Sequence, residues 1–591
     1  MTTPGHPPRD RPDAHVVAPH RLGSAGATDR RVGNDSHLDD SHLDRSVRPG
    51  TPLGEWLEAG PPDRVVLLGL LLVAAVLRFA FLAGRGAWDA DQGHDMLVLH
   101  ALVFDGRIPL LGPPTSIGDI HHGAVYYYLL APLAFVSRAD PTIVVSGLAA
   151  AGTAAVGVVW WLARSIGGRL AGAIAGLLIA VSPSAIEAST FLWNPNAIAL
   201  TAAIALAGAW RAHTSRRTRW WIVSGLGVGL TMQLHVLGVG LVVPVVGLFI
   251  WGWRRGSPGA TFDRRRAALA GLAAVGLIVA LYVPLIVNEL TTNFAETRAA
   301  LAYLSEPRAA ESLDPVSRLL IVFLRIVSWP LVGLITDAAI PGLLASMGII
   351  ATVAWRWRSS DPAERHAVRW FALSVAWSAA FLTVAAQGLT SVIPGLPNDH
   401  YHAFVDPMVF TLGGLGLAAV ARGRGQRPGR DAAGAVLVTI ALGALLLVDI
   451  GRWSPTVSAD LGWPGASSAA TRVVASAGGR PIVLSGLPRF KGTGAYAFPL
   501  VRAGHPVRSA TGPDALGSPD ADPRTDALVI VCDRLFEAVL LARCGGPAED
   551  EYLRGQRDAA SLYLADRFEA SPRTVISVYL SIENSSDAAA P

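Results

Sequence analysis

The sequence predicts an all-α polytopic membrane protein that ends in a small α/β domain. Its 591 residues are 51% hydrophobic and 16% charged, with a mean hydropathy of +0.40, which is too apolar for a soluble globular protein. Apolar segments near the roughly 20-residue length that crosses a bilayer recur through residues 61–450, so about 11–13 transmembrane helices are expected. After residue 450 the apolar runs become shorter, which favours strands and short helices.

Residues 1–60 precede the first apolar segment and are predicted to be a disordered cytoplasmic tail. They are rich in Pro, Asp, Arg, His and Gly and lack hydrophobic periodicity, so they bury too little apolar surface to become ordered. The first apolar segment begins near Arg64, behind this long polar leader. This position indicates a retained signal anchor and not a cleaved signal peptide.

Loops with clustered arginine set the expected orientation in the plasma membrane. The positive-inside rule assigns four of them to the cytoplasm: 211–219, 254–266, 356–369 and 422–430. This orientation places the loop 87–122 and residues 451–591 outside the cell. Counting helices forward puts Arg164 and Arg169 outside and counting backward puts them inside, so one segment between 123 and 185 is expected to be re-entrant or split.

Two further features of charge bear on topology and partners. Residues 314–330 carry Arg318 and Arg325 at helical spacing, which favours a helix lying along the outer interface. The formal net charge of +4 is small for this length and is carried almost wholly by arginine, so no nucleic-acid partner is indicated.

The C-terminal residues 451–591 are predicted to form an extracytoplasmic α/β domain. "RPIVLSGLP", "DALVIVCD" and "RTVISVYLSI" are typical of short strands, with helical stretches near 466–477, 493–503 and 534–543. Cys532 and Cys544 are the two cysteines of the chain, and an extracytoplasmic location permits a disulfide bond between them. Free buried thiols are the alternative.

The loop 85–122 concentrates ionisable residues where the chain first leaves the membrane. Asp89 and Asp91 flank Ala90, so an extended segment would direct both carboxylates to the same side. A nearby like charge or partial burial would raise the base strength of one of them. The alternative is a solvated loop with an acidic cap on a helix that starts near Gly93. The tyrosines that follow His122 are also typical of an interfacial aromatic belt.

The order "R-F…DADQG…G-R-I-P…IHHGAVYYYLLAPL", with Arg78 in the first helix, resembles the first outer loop of the GT-C glycosyltransferases. It is most similar to glycosyltransferase family 39, which includes the protein O-mannosyltransferases and the aminoarabinose-lipid A transferases (RgtA/B/C/D-like). Asp91 and Gln92 fall on the family's Asp-Glu pair, and residues 122–131 fall on its helix of a basic residue, two prolines and aromatic residues. The stretches 182–200 and 398–418 resemble two later segments of the family.

This resemblance implies a GT-C-like catalytic domain over residues 61–450, with 85–122 as its catalytic outer loop. Three residues depart from the family pattern: Gln92 replaces an acidic residue, Gly123 replaces a proline and His400 replaces an arginine. The family transfers a monosaccharide, with inversion, from a polyprenyl-phosphate donor to an acceptor outside the cytoplasm. The acceptor could be a cell-envelope glycan, a lipid or a protein hydroxyl.

For this chain the resemblance implies Asp91 as general base, with Asp89 beside it. The candidates for binding the donor phosphate or sugar are Arg85, Arg107, His121, His122, Asn194, Asn196, His400 and Tyr401. Glu187 and His235 are weaker candidates for the site. No cofactor is required and no metal site is predicted, although Asp119 and His121 could supply two ligands. A non-catalytic envelope scaffold and a lipid or sugar transporter are the alternative functions.

Overall fold

The computed structural model describes residues 61–115, 120–254, 263–305, 313–391, 399–423, 428–509, 526–556 and 559–582. These residues belong to one compact unit. The predicted disordered tail 1–60 and the possible metal ligand Asp119 lie outside the described residues.

The first part of the chain is a bundle of α-helices. In chain order its helices are α1 (Pro61–Phe79), α2 (Leu82–Arg85), α3 (Ala90–Phe104), α4 (Val125–Val136), α5 (Pro141–Val181), α6 (Pro183–Glu187), α7 (Ile198–Ser215), α8 (Arg219–Leu234), α9 (Val242–Arg254), α10 (Arg264–Leu281), α11 (Val283–Thr291), α12 (Ala295–Ser305), α13 (Pro315–Val332), α14 (Ala339–Arg356), α15 (Pro362–Ala385), α16 (Asp406–Arg422) and α17 (Pro428–Ile450). Short 3₁₀ helices cover Asn194–Ala197, Val236–Leu241, Gln387–Thr390 and Asp399–Val405. Strands β1 (Leu111–Pro114) and β2 (His121–Gly123) form an antiparallel pair in the loop between α3 and α4.

The predicted polytopic membrane fold is confirmed. Within the described ranges, seven helices are long and apolar enough to cross a membrane, or eight when α10 and α11, bent by 51°, are taken as one span. This number is below the 11–13 expected from hydropathy. One reason is that α5 is a single element of 41 residues interrupted at Gly168, whose φ of 80° suits glycine. Another is that α4 and α8 have 12 and 16 residues and are short for a span.

The conflict between the two helix counts is resolved at α4. Near its start Tyr127 donates a hydrogen bond to Asp95 in the outer loop (2.8 Å), and just beyond its end the carbonyl of Arg138 accepts one from Arg502 of the C-terminal domain (3.2 Å). Both ends of α4 therefore lie on the side that carries the C-terminal domain, which we call the outer face. The segment returns to the side from which it started.

Arg164 and Arg169 in the middle of α5 lie at the opposite side of the bundle. Arg164 donates a hydrogen bond to Asp63 at the start of α1 (2.8 Å), and Arg169 lies 3.1 Å from the same carboxylate. The first helix thus separates these two arginines from the outer loop, in agreement with the backward count.

The C-terminal domain contains a five-stranded mixed sheet in the order β4-β3-β5-β7-β6. Its strands are β3 (Ile482–Leu487), β4 (Val507–Ser509), β5 (Ala527–Asp533), β6 (Leu562–Ser571) and β7 (Thr574–Ser581), and its helices are α18 (Gly462–Ala477), α19 (Gly494–Arg502), α20 (Glu537–Leu540) and α21 (Pro547–Arg554). The three predicted strands correspond to β3, β5 and β7, which are almost wholly buried and mostly apolar. The short β4 and the largely exposed β6 lacked that apolar signal.

Cys532 and Cys544 are joined in this domain. Cys532 lies in β5 and Cys544 follows α20, and their sulfur atoms are 2.09 Å apart. The bond ties β5 to the chain that follows it, across a separation of 12 residues.

Candidate active site

The N-terminus of α3 organises the carboxylates of the outer loop. Asp89 is the N-cap, and its Oδ1 accepts a hydrogen bond from the N–H of Ala90 (2.8 Å). Gln92 Oε1 in turn accepts a hydrogen bond from the backbone N–H of Asp89 (2.8 Å), which completes a capping box. Gln92, a departure from the family pattern, thus has a local structural role, and Asp89 has one as well.

Asp91 and Asp95 form a pair one turn apart on α3. Asp91 is exposed, whereas Asp95 is 1% exposed and its Oδ1 accepts a hydrogen bond from the Tyr127 hydroxyl (2.8 Å). Burial raises the pKa of Asp95 to about 7, opposed by His94 and Tyr127 and assisted by the charge of Asp91. The helix therefore presents an exposed carboxylate directly beside a buried carboxyl group that is easily protonated.

The two arginines predicted to bind phosphate lie in different environments. Arg85, at the end of α2, is buried and donates hydrogen bonds to the carbonyl of Leu77 (2.5 Å) and the hydroxyl of Ser454 (3.0 Å). Arg107 follows α3 and is exposed. Arg85 thus holds the outer loop to α1 and to the start of the C-terminal domain, while Arg107 is open to the outer face.

Three histidines from distant parts of the chain form a row. The rings of His122 and His235 are 4.8 Å apart, and those of His235 and His400 are 5.4 Å apart. The ring centroids of Tyr401 and His235 are 5.3 Å apart, and those of Trp193 and His400 are 4.3 Å apart. This cluster, which we call the histidine row, brings the predicted residues His122, His400 and Tyr401 together around His235.

His122 lies at one end of this row. It is 6% exposed, and burial, followed by the charge of His121, lowers its pKa to about 4. A neutral imidazole is therefore expected at physiological pH. Its neighbour His121 points elsewhere: its Nδ1 lies 2.9 Å from Glu296 of α12, and its backbone N–H donates to the same carboxylate (2.7 Å).

The "NPN" segment is held by its own two amides. Asn194 donates a hydrogen bond to the carbonyl of Leu234, the residue before His235. Asn196 donates to the carbonyl of Phe191 (2.8 Å). Both side chains are at most 9% exposed. The amide N–H groups thus fix this turn beside the histidine row.

A cavity of about 120 Å³ lies next to the histidine row, and His400 lines it. Its polar lining includes Arg78, Glu187, Asn196 and His400, and Trp193 supplies an aromatic wall. Burial raises the pKa of Glu187. The carboxyl group of Glu187, the amide of Asn196 and the ring of His400 are groups that can form hydrogen bonds with sugar hydroxyls.

Arg78 lines this cavity. It is fully buried and donates hydrogen bonds to the carbonyls of Ile179 (2.9 Å) and Ala180 (3.0 Å) at the end of α5. Its Nε has no hydrogen-bond partner among the described residues. The arginine that the family resemblance places in the first helix is thus anchored by backbone carbonyls and lines the cavity.

A buried ion-pair network supports the segment that carries His400. Arg325 of α13 forms a bidentate pair with Asp399 (2.6 and 2.7 Å), and His402 Nε2 lies 3.1 Å from the same carboxylate. Arg325 also donates hydrogen bonds to the carbonyls of Leu389 and Ser391. Arg325 is 2% exposed, and α13 is among the helices that are long and apolar enough to cross a membrane. The expectation that 314–330 lies along the outer interface was therefore wrong.

Sequence reasoning missed this network, although two signals were present. One is an arginine inside an apolar helix, where an unpaired charge is costly. The other is the alternation of Asp and His in "NDHYHAFVD". Within the described ranges, no group of three or more His, Cys, Asp or Glu side chains is arranged to hold a metal ion.

The fold that positions these groups is known from solved structures. ArnT from Cupriavidus metallidurans bound to undecaprenyl phosphate has a TM-score of 0.53 at 14% sequence identity, covering 88% of this chain and 98% of that chain. Its apo structure has the same score and identity, with coverages of 89% and 98%. The Archaeoglobus fulgidus oligosaccharyltransferase complex with zinc and sulfate has a TM-score of 0.46 at 14% identity, with coverages of 82% and 70%. The chain is therefore a polytopic membrane protein with the GT-C glycosyltransferase fold, as the sequence resemblance predicted.

Part of the chain also matches a family model. Residues 121–283 match the model of the dolichyl-phosphate-mannose-protein mannosyltransferases. The matched part includes the helix that begins near His122 and the "NPN" segment, two of the stretches on which the resemblance was based. No curated protein sequence matches the chain.

Proposed function

We propose that this protein is an integral membrane glycosyltransferase that moves a monosaccharide from a polyprenyl-phosphate donor to an extracytoplasmic acceptor. The observation that carries the proposal is the exposed carboxylate of Asp91, in the first turn of α3, on the outer loop of a GT-C fold. The solved ArnT structure contains undecaprenyl phosphate, which supports a lipid-linked donor here. The proposed location is the plasma membrane, with the N-terminus cytoplasmic and the C-terminal domain outside.

Asp91 acts as the general base of an inverting transfer. The acceptor hydroxyl loses its proton to the Asp91 carboxylate while its oxygen forms a bond to the anomeric carbon of the sugar. The bond from that carbon to the phosphate oxygen breaks on the opposite face, and the electron pair leaves with the polyprenyl phosphate. Asp89 remains the cap of α3 and holds Asp91 at the mouth of the site.

The negative charge that develops on the leaving phosphate can be stabilised by cations and hydrogen-bond donors, without protonation. A phosphate monoester has a second pKa of about 6, so it departs without a general acid when donors absorb its charge. Arg107 is exposed on the outer face and suits this role, because arginine binds phosphate bidentately. His400 of the histidine row lines the cavity and can donate a ring N–H hydrogen bond to the phosphate.

The sugar of the donor enters the cavity beside the histidine row. Trp193 offers an aromatic wall, and Asn196 and Glu187 offer hydrogen-bonding groups along it. Asn194 holds the turn in place from behind. His121, bound to Glu296, positions the β2 strand from which His122 enters the row.

Transfer of radiolabelled sugar tests the proposal. Proteoliposomes with wild-type protein, Asp91→Asn or Asp105→Asn are given a panel of polyprenyl-phosphate sugars and an envelope extract. Asp105 is the matched control, because it is an exposed aspartate at the other end of the same helix. Loss of a general base is expected to lower the rate about 10²–10⁴-fold in Asp91→Asn. Asp105→Asn is expected to keep the wild-type rate.

Three other results would contradict the proposal. If both variants transfer sugar as the wild type does, Asp91 is not the base. If the wild type moves labelled lipid across the bilayer but forms no glycosidic bond with any donor, the protein is a transporter. Failure of both activities would favour a non-catalytic envelope scaffold.

A further inference from the structure

We propose that the C-terminal domain is a working part of the active site, and that Lys491 is the residue through which it positions the catalytic loop. This inference rests on the proposed function of Asp91, because the loop that it concerns is the one that carries Asp91. Lys491 is the single lysine of the whole chain.

The backbones of α3 and α19 touch. A Cβ atom at Gly93 would lie 2.0 Å from the carbonyl carbon of Gly494, at the start of α19. No side chain larger than that of glycine fits this contact without displacing one of the helices. The helix that carries Asp91 is therefore docked directly on the C-terminal domain.

Trp88, the residue before the cap of α3, is enclosed by the same domain. Its indole Nε1 donates a hydrogen bond to the carbonyl of Ala495 (2.8 Å), and its backbone N–H donates to Asp460 (2.9 Å). Its ring packs on Trp463 at 4.9 Å and on Phe498 at 5.9 Å. With 7% of its surface exposed, Trp88 anchors the loop in the core of the C-terminal domain.

Lys491 adds ion pairs to the contact between the C-terminal domain and the loop that carries Asp91. Its ammonium group lies 2.8 Å from Asp89 and 3.4 Å from Asp533. Arg573 lies 3.9 Å from Asp89 and 3.6 Å from Asp533, so two cations of the C-terminal domain share two carboxylates. Because one of these carboxylates is the N-cap of α3, the pairs fix the first helical turn.

The protonation states in this cluster favour the ion pairs. Burial by itself would lower the pKa of Lys491. The negative charges of Asp89, Asp533 and Asp91 have the larger combined effect, so the pKa of the lysine is raised. Desolvation likewise opposes the charge of Asp89, and Lys491 outweighs it, so the pKa of Asp89 is lowered. The charged groups around Lys491 are thus Asp89 and Asp91 at the start of α3, Asp533 at the end of β5, and Arg573.

Two consequences follow for the reaction. Loss of the Lys491 charge would release the cap of α3 and let Asp91 move relative to the acceptor, and a misplacement of about 1 Å can cost about 10²-fold in rate. It would also remove a positive charge that interacts with Asp91. The acidic limb of the pH–rate profile is therefore expected to move to higher pH.

The test compares four variants of the full-length protein in nanodiscs with the wild type. Lys491→Met removes the charge and Lys491→Arg keeps it. Asp89→Asn breaks the same ion pair while leaving a residue that caps helices equally well. Arg472→Met is the matched control, because it breaks an exposed ion pair with Asp566 in the same domain.

Two measurements are made on each variant. The first is kcat, KM and the pH–rate profile of sugar transfer, and the second is hydrogen exchange of residues 87–104. Lys491→Met and Asp89→Asn are both expected to lower kcat by about ten- to a hundredfold and to speed exchange. Lys491→Met should also shift the acidic limb to higher pH, whereas Asp89→Asn, which removes a negative charge and leaves the lysine, should not. Lys491→Arg is expected to restore most of the rate, and Arg472→Met to behave as the wild type.

Hydrogen exchange separates the two proposals. If Lys491→Met and Asp89→Asn keep the wild-type kcat, pH profile and exchange, the positioning role is refuted. If the wild type transfers no sugar, the proposed function fails, and exchange alone decides the role of Lys491. Faster exchange in these two variants than in Arg472→Met would then support the positioning role, and equal exchange would overturn it.

Discussion

Replacement of Asp95 by asparagine removes a titratable group from the buried side of α3 while keeping its shape. Asparagine keeps a carbonyl oxygen that can accept the hydrogen bond from Tyr127, and its NH₂ group takes the place of the O–H of a protonated acid. The variant therefore resembles the protein with Asp95 protonated. Its stability relative to the wild type reports the cost of ionising this carboxyl group.

The pKa of Asp95 determines the sign and the size of the effect. Burial raises this pKa from 3.8 to about 7, so the folded protein binds the proton more tightly than the unfolded chain. The stabilisation of the folded state by the proton bound to Asp95 is complete below about pH 4 and is lost as the pH rises through 7. At 1.4 kcal/mol for each pH unit, the loss amounts to about 4 kcal/mol. Asp95→Asn does not undergo this loss. The difference in free energy of unfolding between the variant and the wild type therefore increases between pH 5 and pH 7 and is constant at higher pH.

Thermal unfolding in detergent measures this difference. The 17 tryptophans give an intrinsic signal, and melting temperatures are compared at pH 5, 6, 7 and 8. The difference between Asp95→Asn and the wild type should increase by several degrees from pH 5 to pH 7. Asp105→Asn, at the exposed end of the same helix, is the matched control. A difference for Asp95→Asn that does not change with pH would refute the reasoning.

Two further predictions concern stability. Arg325→Met leaves Asp399 buried without its bidentate partner, and this should lower the free energy of unfolding by about 3–5 kcal/mol. The double variant with Asp399→Asn should recover part of the loss in melting temperature; no recovery would show that the pair is not coupled. Cys532→Ser with Cys544→Ser removes the disulfide and should cost about 2–4 kcal/mol, seen as faster proteolysis of residues 526–556. Reductant should reproduce this effect in the wild type and add nothing in the variant, and equal proteolysis of all samples would contradict the prediction.

Much of the fold is decided by local sequence. In lipid each segment must satisfy its backbone hydrogen bonds within itself, so the position of a membrane helix is a property of its own residues. The strands β3, β5 and β7 were equally visible, because a strand buried on both faces is apolar along its whole length. The cap of α3 is also local, since Asp89 and Gln92 complete it between them.

The tertiary structure decided how these local pieces meet. Arg325 and Asp399 are 74 residues apart and Lys491 and Asp89 are 402 apart, and no periodicity in the sequence relates such partners. The histidine row joins three segments in the same way. Asp95 has the same chemistry as Asp91 four residues before it, but Asp95 is buried and Asp91 is exposed. Burial is the main cause of the raised pKa of Asp95, because it penalises the charged form. The sequence by itself therefore determined the helices, the central strands and the candidate groups, whereas packing between distant segments determined which of those groups are exposed, paired or protonated.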